Sequence, residues 1–290
     1  MNIALEPGKY VVAVSGGIDS VALLHMLRAQ PGLELIVGHF NHGIRPDADD
    51  DRRFVEGLAH SYGLPFISEA VVLGPKASEE TARTHRYAFL RAVREQANAT
   101  AIVTAHQQDD VIETALLNVM RGTKRRGFVS LQSTSDIQRP LLHMTKQAIR
   151  DYALEHNLEW SEDSTNQAMD YLRNRIRGRL HQSLTAQKRQ QIMDLLQTIS
   201  VQNAEIDVLV NEILMKNETR LEKSKIDIAD SEVAAEIMAG WLRRNQTNFD
   251  KKTITRLVNG AKKLRNGAKV DIDKQYYCLL TKHEIVLTPR

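Results

Sequence analysis

Three groups of residues in this sequence are of types, and at spacings, that could do chemistry. The first is Ser15-Gly16-Gly17-Ile18-Asp19-Ser20. Glycine has no Cβ, so backbone N–H groups can approach a ligand closely there. A turn that opens a helix adds unpaired N–H donors and the positive end of the helix dipole, and together these favour an anion. Ser15 and Ser20 add hydroxyl donors. Asp19 does not suit a purely anionic ligand, but a carboxylate beside phosphate makes sense with Mg²⁺ between them. No Gly-Lys-Ser/Thr follows the glycines, so this is not the Walker A loop, and it is not G-x-G-x-x-G either. The second group is His106, Asp109, Asp110 and Glu113. On a helix turning about 100° per residue, the three carboxylates share an arc of about 100°. That is more acid than capping needs, and it suits a second Mg²⁺ contact or a bound ammonium group. His106, just before them, could accept a proton or touch phosphate.

The third group is basic. Arg121-Gly-Thr-Lys-Arg-Arg-Gly127 reads as a loop whose charges could meet phosphate. The stretch 172–191 holds Arg173, Arg175, Arg177, Arg179, Lys188 and Arg189 and no acid. If helical, it buries Leu172, Ile176 and Leu180; Arg173 and Arg177 then flank that stripe, while Arg175 and Arg179 point nearly opposite. Each residue also has a bland reading when taken singly. His39 and His42 could be polar strand-end residues. Glu79 and Arg83 could be an i,i+4 pair worth ~0.3–0.5 kcal/mol. Asp109 could be an N-cap, and Glu113 a first-turn acid favoured by the dipole.

Positioning these residues falls to an alternation of strands and helices. Tyr10 to Val14 is a short apolar, β-branched run, and Val21 to Leu27 is apolar at helical spacing, so the first motif lies between strand and helix. Leu33–His39 reads as a second strand, 50–62 as a helix, and Leu64–Ile67 as the start of a third strand. Glu79–Gln96 reads as a helix, Thr100–Thr104 as a fourth strand, and Asp109–Met120 as a helix. Such alternation predicts an α/β fold with a doubly wound, mostly parallel sheet. Ligands of such sheets bind at the carboxyl ends of the strands, where the first two groups fall.

Four runs follow one another: the glycine loop, His39-Phe-Asn41-His42-Gly-Ile-Arg45, Glu79-Glu-Thr-Ala-Arg83-Thr-His-Arg86-Tyr87, and Ala105-His106-Gln-Gln-Asp-Asp110-Val-Ile-Glu113-Thr114. Arg139-Pro-Leu-Leu142, Glu162-Asp-Ser-Thr-Asn166 and Leu172-Arg-Asn-Arg-Ile-Arg177 continue the series. The glycine loop resembles the pyrophosphate loop of the N-type ATP pyrophosphatases, and the order and spacing of the whole set, over about 8–180, resembles the tRNA(Ile)-lysidine synthases. The resemblance implies a reaction: ATP activates the wobble cytidine of a tRNA(Ile) with a CAU anticodon, releasing pyrophosphate. The ε-amine of free L-lysine then displaces AMP at C2. It also implies roles: Ser15, Gly16, Gly17, Ile18, Asp19, Ser20, His39, Asn41 and His42 toward ATP, with Asp19 on Mg²⁺. Asp110 and Glu113 would face lysine and act in catalysis; His106 stands beside them as a catalytic candidate, as proton acceptor or phosphate contact. Arg83, Arg86, Arg121, Arg173 and Arg177 would face tRNA. Longer members of the family carry a further C-terminal domain, and the expectation here is the short form.

Beyond the alternating half, 185–216 reads as one or two linking helices. Ser231–Arg244, with Ser231 as N-cap, and Lys251–Leu264 read as helices, and 269–273, 276–281 and 284–288 as strands. The expected domains are 1–184, catalytic; 185–216, linking; and 217–290, smaller, mainly helical α+β and tRNA-contacting, with a basic face from Lys251, Lys252, Arg256, Lys262, Lys263 and Arg265. Hydrophobic content of 42% supports a real core, and no run approaches the ~18 apolar residues of a membrane span. One cysteine, Cys278, excludes an intrachain disulfide framework and a multi-cysteine metal site, which points to the cytoplasm. A net charge of +3 permits nucleic acid without demanding it. A lone cysteine also counts against a tRNA thiolase. No glutaminase-like site supports an amidating synthetase, and the intact Asp19 opposes a silent binding module. Oligomeric state, a homodimer included, is not written in the sequence.

Overall fold

The structure is a computed structural model that describes residues 3, 5–41, 43, 48–72, 79–161, 178, 184–214, 219–263 and 266–290. His42, Arg173, Arg175, Arg177, Arg179, Arg265 and the run 162–166 lie outside the described residues. The chain divides into two compact units, Met1–Ile199 and Ser200–Arg290.

The first unit contains β1 (Gly8–Ala13), α1 (Ile18–Arg28), β2 (Leu33–Asn41), α2 (Ala48–Ser61), β3 (Phe66–Ala70) and α3 (Glu79–Gln96). It continues with β4 (Ala101–Val103), α4 (Gln108–Met120), α5 (Arg125–Phe128), β5 (Ile137–Gln138) and α6 (Lys146–Glu155), and ends within α7 (Ala186–Ile213). The five strands form one sheet in the order β3-β2-β1-β4-β5, parallel throughout. This is the expected doubly wound sheet. Its inner strands β1, β2 and β4 read as largely apolar runs because both of their faces are covered, whereas β3 at the edge is mostly exposed. Tyr10, Val12 and Val14 pack with Leu23, Leu24 and Leu27 of α1, Val55 and Ala59 of α2, and Ile149 and Ala153 of α6. On the other face Val11, Phe40 and Ile102 meet Tyr87, Phe89, Leu90 and Val93 of α3. Gly38 lets α3 sit this close: a Cβ there would come within 2.9 Å of Leu90 Cδ2 and 3.1 Å of Val11 Cγ1.

Besides the four-residue α5, two elements of this unit lack a pattern strong enough to announce them. The strand β5 has two residues, too few for a period-2 signal. The helix α6 buries only Ile149 and Ala153, a thin i,i+4 stripe in an otherwise polar run.

The second unit holds the end of α7, β6 (Arg220–Glu222), α8 (Ser224–Asp227), α9 (Ser231–Arg244), α10 (Lys251–Lys263), β7 (Ala268–Asp271), β8 (Tyr276–Leu280) and β9 (Glu284–Pro289). The three expected strands gain a fourth: β6 pairs antiparallel with β9, giving the order β6-β9-β8-β7. Trp241, Met238, Leu257 and Cys278 are fully buried in the core beneath this sheet. Ser231 is not the cap of α9. Asp230 precedes it and accepts from the N–H groups of Glu232 and Val233, both at 2.8 Å, because its carboxylate is the better acceptor for those two donors.

Candidate active site

In the strand order, β1 lies between β2 and β4. The chain leaves β1 in one direction to build β2 and β3, then returns to the other side for β4 and β5. Such a reversal leaves a crevice outside the carboxyl ends of the two central strands. The loop after β1 is Ser15–Gly17, and the segment after β4 is Thr104–Gln107. The two groups singled out in the sequence therefore flank the same crevice.

The Ser15–Gly17 loop is preshaped. Gly16 has φ of 97°, a left-handed conformation that side-chain-bearing residues rarely adopt. The Ser20 hydroxyl donates to Gly17 O at 2.9 Å and accepts from Ser15 N at 3.2 Å, tying the start of α1 back to the loop. Gly17 occupies the N-cap position and no side chain caps α1, so its first N–H groups keep their donor capacity for a ligand. Ser161 N donates to Gly16 O at 2.9 Å, and the Ser161 hydroxyl donates to Asp51, clamping the loop from outside. Asp19 lies in the first turn of α1, partly exposed, with its Oδ1 2.6 Å from the Nζ of Lys146. Lys146 is a site residue that the motif reading missed. Its only sequence signal is a cation at the very start of a helix, where the dipole disfavours it. A glycine cradle, two hydroxyls, an uncapped helix start, one acid and one ammonium fit a nucleotide triphosphate with a divalent cation.

On β2, His39 and Asn41 point to the α1 and α2 face. His39 is buried, and its Nδ1 donates to Val14 O at 2.9 Å. Burial, partly offset by that hydrogen bond, pushes its pKa below the usual histidine value, so the ring is neutral near pH 7. Its Nε2 has no protein partner among the described residues. Asn41 is buried as well, donating to Asp49 Oδ1 at 3.2 Å and accepting from Gly43 N at 2.8 Å. These two residues brace the strand end beside the loop.

The carboxylates of α4 differ in their surroundings. Gln107, not Asp109, is the N-cap, because Asp109 is turned inward: Gln107 Oε1 accepts from Asp109 N at 2.8 Å, and Asp110 Oδ2 accepts from Gln107 N at 2.9 Å, a reciprocal capping box. Asp109 is buried in an ion pair with Arg189 of α7. Asp110 is half-buried at the crevice end of the helix, and Glu113, one turn further, is fully buried. His106 Nδ1 lies 2.8 Å from Thr104 Oγ1. Arg189, like Lys146, was missed as a specific partner and read only as part of a basic stretch.

The described basic residues differ in their local partners. Arg83 and Arg86 stack near Tyr87 at 4.9 and 5.7 Å from its ring centre. Arg121 is exposed at the C-cap of α4. The expected loop 121–127 is not plain loop. It runs into the turn of α5, and Asn118 Nδ2 donates to Gly127 O at 2.7 Å and to Ser130 Oγ at 2.9 Å, because the polar end of α4 supplies donors for it. In the second unit Arg256 and Lys262 donate to the carbonyls of Asp271 and Ala229, so part of that basic face serves local structure. A cavity of about 390 Å³ lined by His25, Arg28, Tyr62 and Leu64 lies at the amino end of the sheet and includes none of the site residues.

Residues 2–184 match the model of the PP-loop domain. The chain belongs to the PP-loop family. Among curated relatives of this PP-loop protein is the bifunctional protein TilS/HprT of Listeria monocytogenes, 35% identical over 227 residues, which is 72% of this chain and 35% of that protein. The tRNA(Ile)-lysidine synthase of Thermus thermophilus is 40% identical over 173 residues, 58% of this chain and 34% of that protein. The tRNA(Ile)-lysidine synthase of Clostridium tetani is 35% identical over 188 residues, 61% of this chain and 40% of that protein. The PP-loop chain thus spans about a third to two fifths of the length of the curated relatives it matches. Among solved structures, the U34-tRNA thiolase NcsA from Methanococcus maripaludis with its [4Fe-4S] cluster has a TM-score of 0.55 at 15% identity, covering 67% of this chain and 73% of that one. That likeness speaks for the fold alone. Among the described residues, no helix is long and apolar enough to cross a membrane.

Proposed function

We propose that this PP-loop chain uses ATP to join free L-lysine to C2 of the wobble cytidine of tRNA(Ile) with a CAU anticodon, giving lysidine, AMP and pyrophosphate. The observation that carries the reading is convergence. The Ser15–Ser20 loop and the Asp110–Glu113 turn flank one crevice at the reversal of strand order, as a nucleotide site beside an ammonium site requires. The named similarities to lysidine synthases support the same reading.

In the first step, O2 of the cytidine attacks the α-phosphorus of ATP, and pyrophosphate leaves. The loop N–H groups and the hydroxyls of Ser15 and Ser20 hold the leaving phosphates, and the β1–α1 turn fixes their direction. Asp19 would hold Mg²⁺, which would neutralise phosphate charge. His39 and Asn41 keep the end of β2 in place against the loop. In the second step, the lysine ε-amine attacks C2, the C2–O bond to AMP breaks, and the amine gives up a proton. His106 is assigned as the acceptor, with one ring nitrogen already engaged by Thr104. Asp110 is partly exposed and Glu113 is buried one turn deeper, so an incoming ammonium meets Asp110 first. Arg83, Arg86 and Arg121 are the described basic residues assigned to tRNA, joined in this proposal by Arg173 and Arg177. The domain assignment of 1–184, 185–216 and 217–290 and a cytoplasmic location go with this function.

A tRNA thiolase reading gains nothing from the chain itself. Its one cysteine, Cys278, is buried in the second unit, and burial pushes its thiol up to about 12. The deciding experiment measures AMP and pyrophosphate release with total tRNA, with and without lysine. Pyrophosphate release that needs tRNA, followed by AMP release that needs lysine, is the expected pattern. ATP turnover indifferent to tRNA would overturn the proposal.

A further inference from the structure

Lys146 answers a question that the phosphate loop poses. Asp19 puts a negative charge where the glycine turn and the start of α1 favour an anion. Without a partner, that carboxylate would repel the phosphates the loop is shaped to hold. Among the described residues, Lys146 is the one ion-pair partner of Asp19, at 2.6 Å. The backbone of Lys146 is fixed: α6 begins at this residue, Thr145 caps it by accepting from Ala148 N at 3.1 Å, and Ile149 and Ala153 are wedged into the core against α1. Its ammonium is held by Asp19 alone among the ion pairs of the described residues and remains open to solvent. The Lys146 side chain is 41% exposed and that of Asp19 27%, so solvent reaches the pair and its partners can be exchanged. Lys146 is also the first residue of a helix, where the dipole opposes a cation. Asp19 compensates for this unfavourable position, and so would a phosphate.

We infer that Lys146 is the resident counter-ion of the phosphate loop: it holds Asp19 in the free protein and passes to a nucleotide phosphate when Asp19 takes a divalent cation. The inference rests on the ATP reading of the loop and deepens it. A cation on Asp19 repels the ammonium, while the pyrophosphate portion of the nucleotide offers it oxygens within reach of a flexible four-carbon stem. The same lysine thus competes with the metal before binding and stabilises the phosphates after it. A purely structural ion pair would not show these two effects of opposite sign.

The test is Lys146→Met, which keeps the apolar stem and removes the charge. Mn²⁺ binding to the free protein, read by electron paramagnetic resonance, should tighten about two- to fivefold, the competition expected of an exposed ion pair. Binding of a fluorescent ATP analogue at saturating Mn²⁺ should weaken roughly tenfold, as for loss of a charge-assisted hydrogen bond. Lys146→Arg, which retains the charge, should keep Mn²⁺ affinity at the wild-type level and guards against a folding artefact. Unchanged or weaker Mn²⁺ binding in the Met variant, or unchanged nucleotide binding, would overturn the counter-ion role. Neither measurement uses tRNA or lysine, so failure of the lysidine reading would show separately, as absent tRNA-dependent pyrophosphate release by the wild-type protein.

Discussion

Replacing Arg189 by methionine tests what Asp109 does. Both side chains of this pair are largely buried, 14% exposed for Arg189 and 11% for Asp109, and they join α7 to the first turn of α4. Removing one partner of a buried pair typically costs about 3–5 kcal/mol, because the other charge is left desolvated and unpaired. The residual exposure favours the lower end, about 3 kcal/mol. For a unit near 200 residues, each kcal/mol moves Tm by about 2–4 °C, so Arg189→Met should lower Tm by about 6–12 °C. Asp109→Leu combined with Arg189→Met should recover much of that loss, since an apolar pair of similar volume removes the stranded charge. The assay is thermal unfolding followed by circular dichroism on the wild type, both single variants and the double variant. Single losses below ~1 kcal/mol with no coupling between the sites would mean that the pair behaves as a surface contact, and the inward, structural role of Asp109 would be refuted.

Asp19→Asn should abolish pyrophosphate release while leaving the circular dichroism spectrum intact; near-normal release would remove Asp19 from the metal role. Asp110→Asn or Glu113→Gln should weaken lysine use at least tenfold, from a charge-assisted contact of ~1.5–3 kcal/mol, with adenylation suffering less; equal loss of both steps would assign these acids to magnesium or to the shape of the ATP site. Gly16→Ala should cost about 1–3 kcal/mol in stability from its left-handed backbone, since the nearest atoms to an added Cβ, at 3.5–3.7 Å, leave room for it; an unchanged Tm would contradict the strain. The lowered pKa of His39 means that the folded state binds fewer protons than the unfolded state, so its contribution is complete above pH 6.5 and is lost as pH falls from there toward the folded pKa. His39→Asn, whose amide can keep the Val14 hydrogen bond, should flatten that part of the Tm–pH curve, and an unaltered acid limb would show that His39 does not set it.

The order of elements in the first unit was legible because buried parallel strands and their helices carry strong apolar patterns. Glu79–Gln96 and Ser231–Arg244 form over those very residues. The elements that escaped, β5, α5, α6, β6 and α8, have two or fewer buried apolar residues each and are held by neighbours rather than by their own periodicity. The Ser15–Ser20 loop was legible because its conformational demands select residue types: glycine for the positive φ, serine for the back-bond to the turn. Lys146 was not, because its one local signal, a cation at a helix start, depends on a helix too thinly patterned to be announced, and its partner lies 127 positions away.

The carboxylate helix shows most clearly where sequence stops and structure begins. Helical spacing placed Asp109, Asp110 and Glu113 on one arc and left them equivalent. The fold makes them unequal through distant groups: Arg189 draws Asp109 inward, the N–H of Gln107 engages one oxygen of Asp110, and the core closes over Glu113. An amide oxygen can still accept from Gln107 N, so Asp110→Asn removes charge while retaining the cap. That is why Asp110, half-buried at the crevice, is the residue where an effect on lysine use can be separated from an effect on the helix. At Asp109 no such separation is possible, because its charge and its structural role are the same contact.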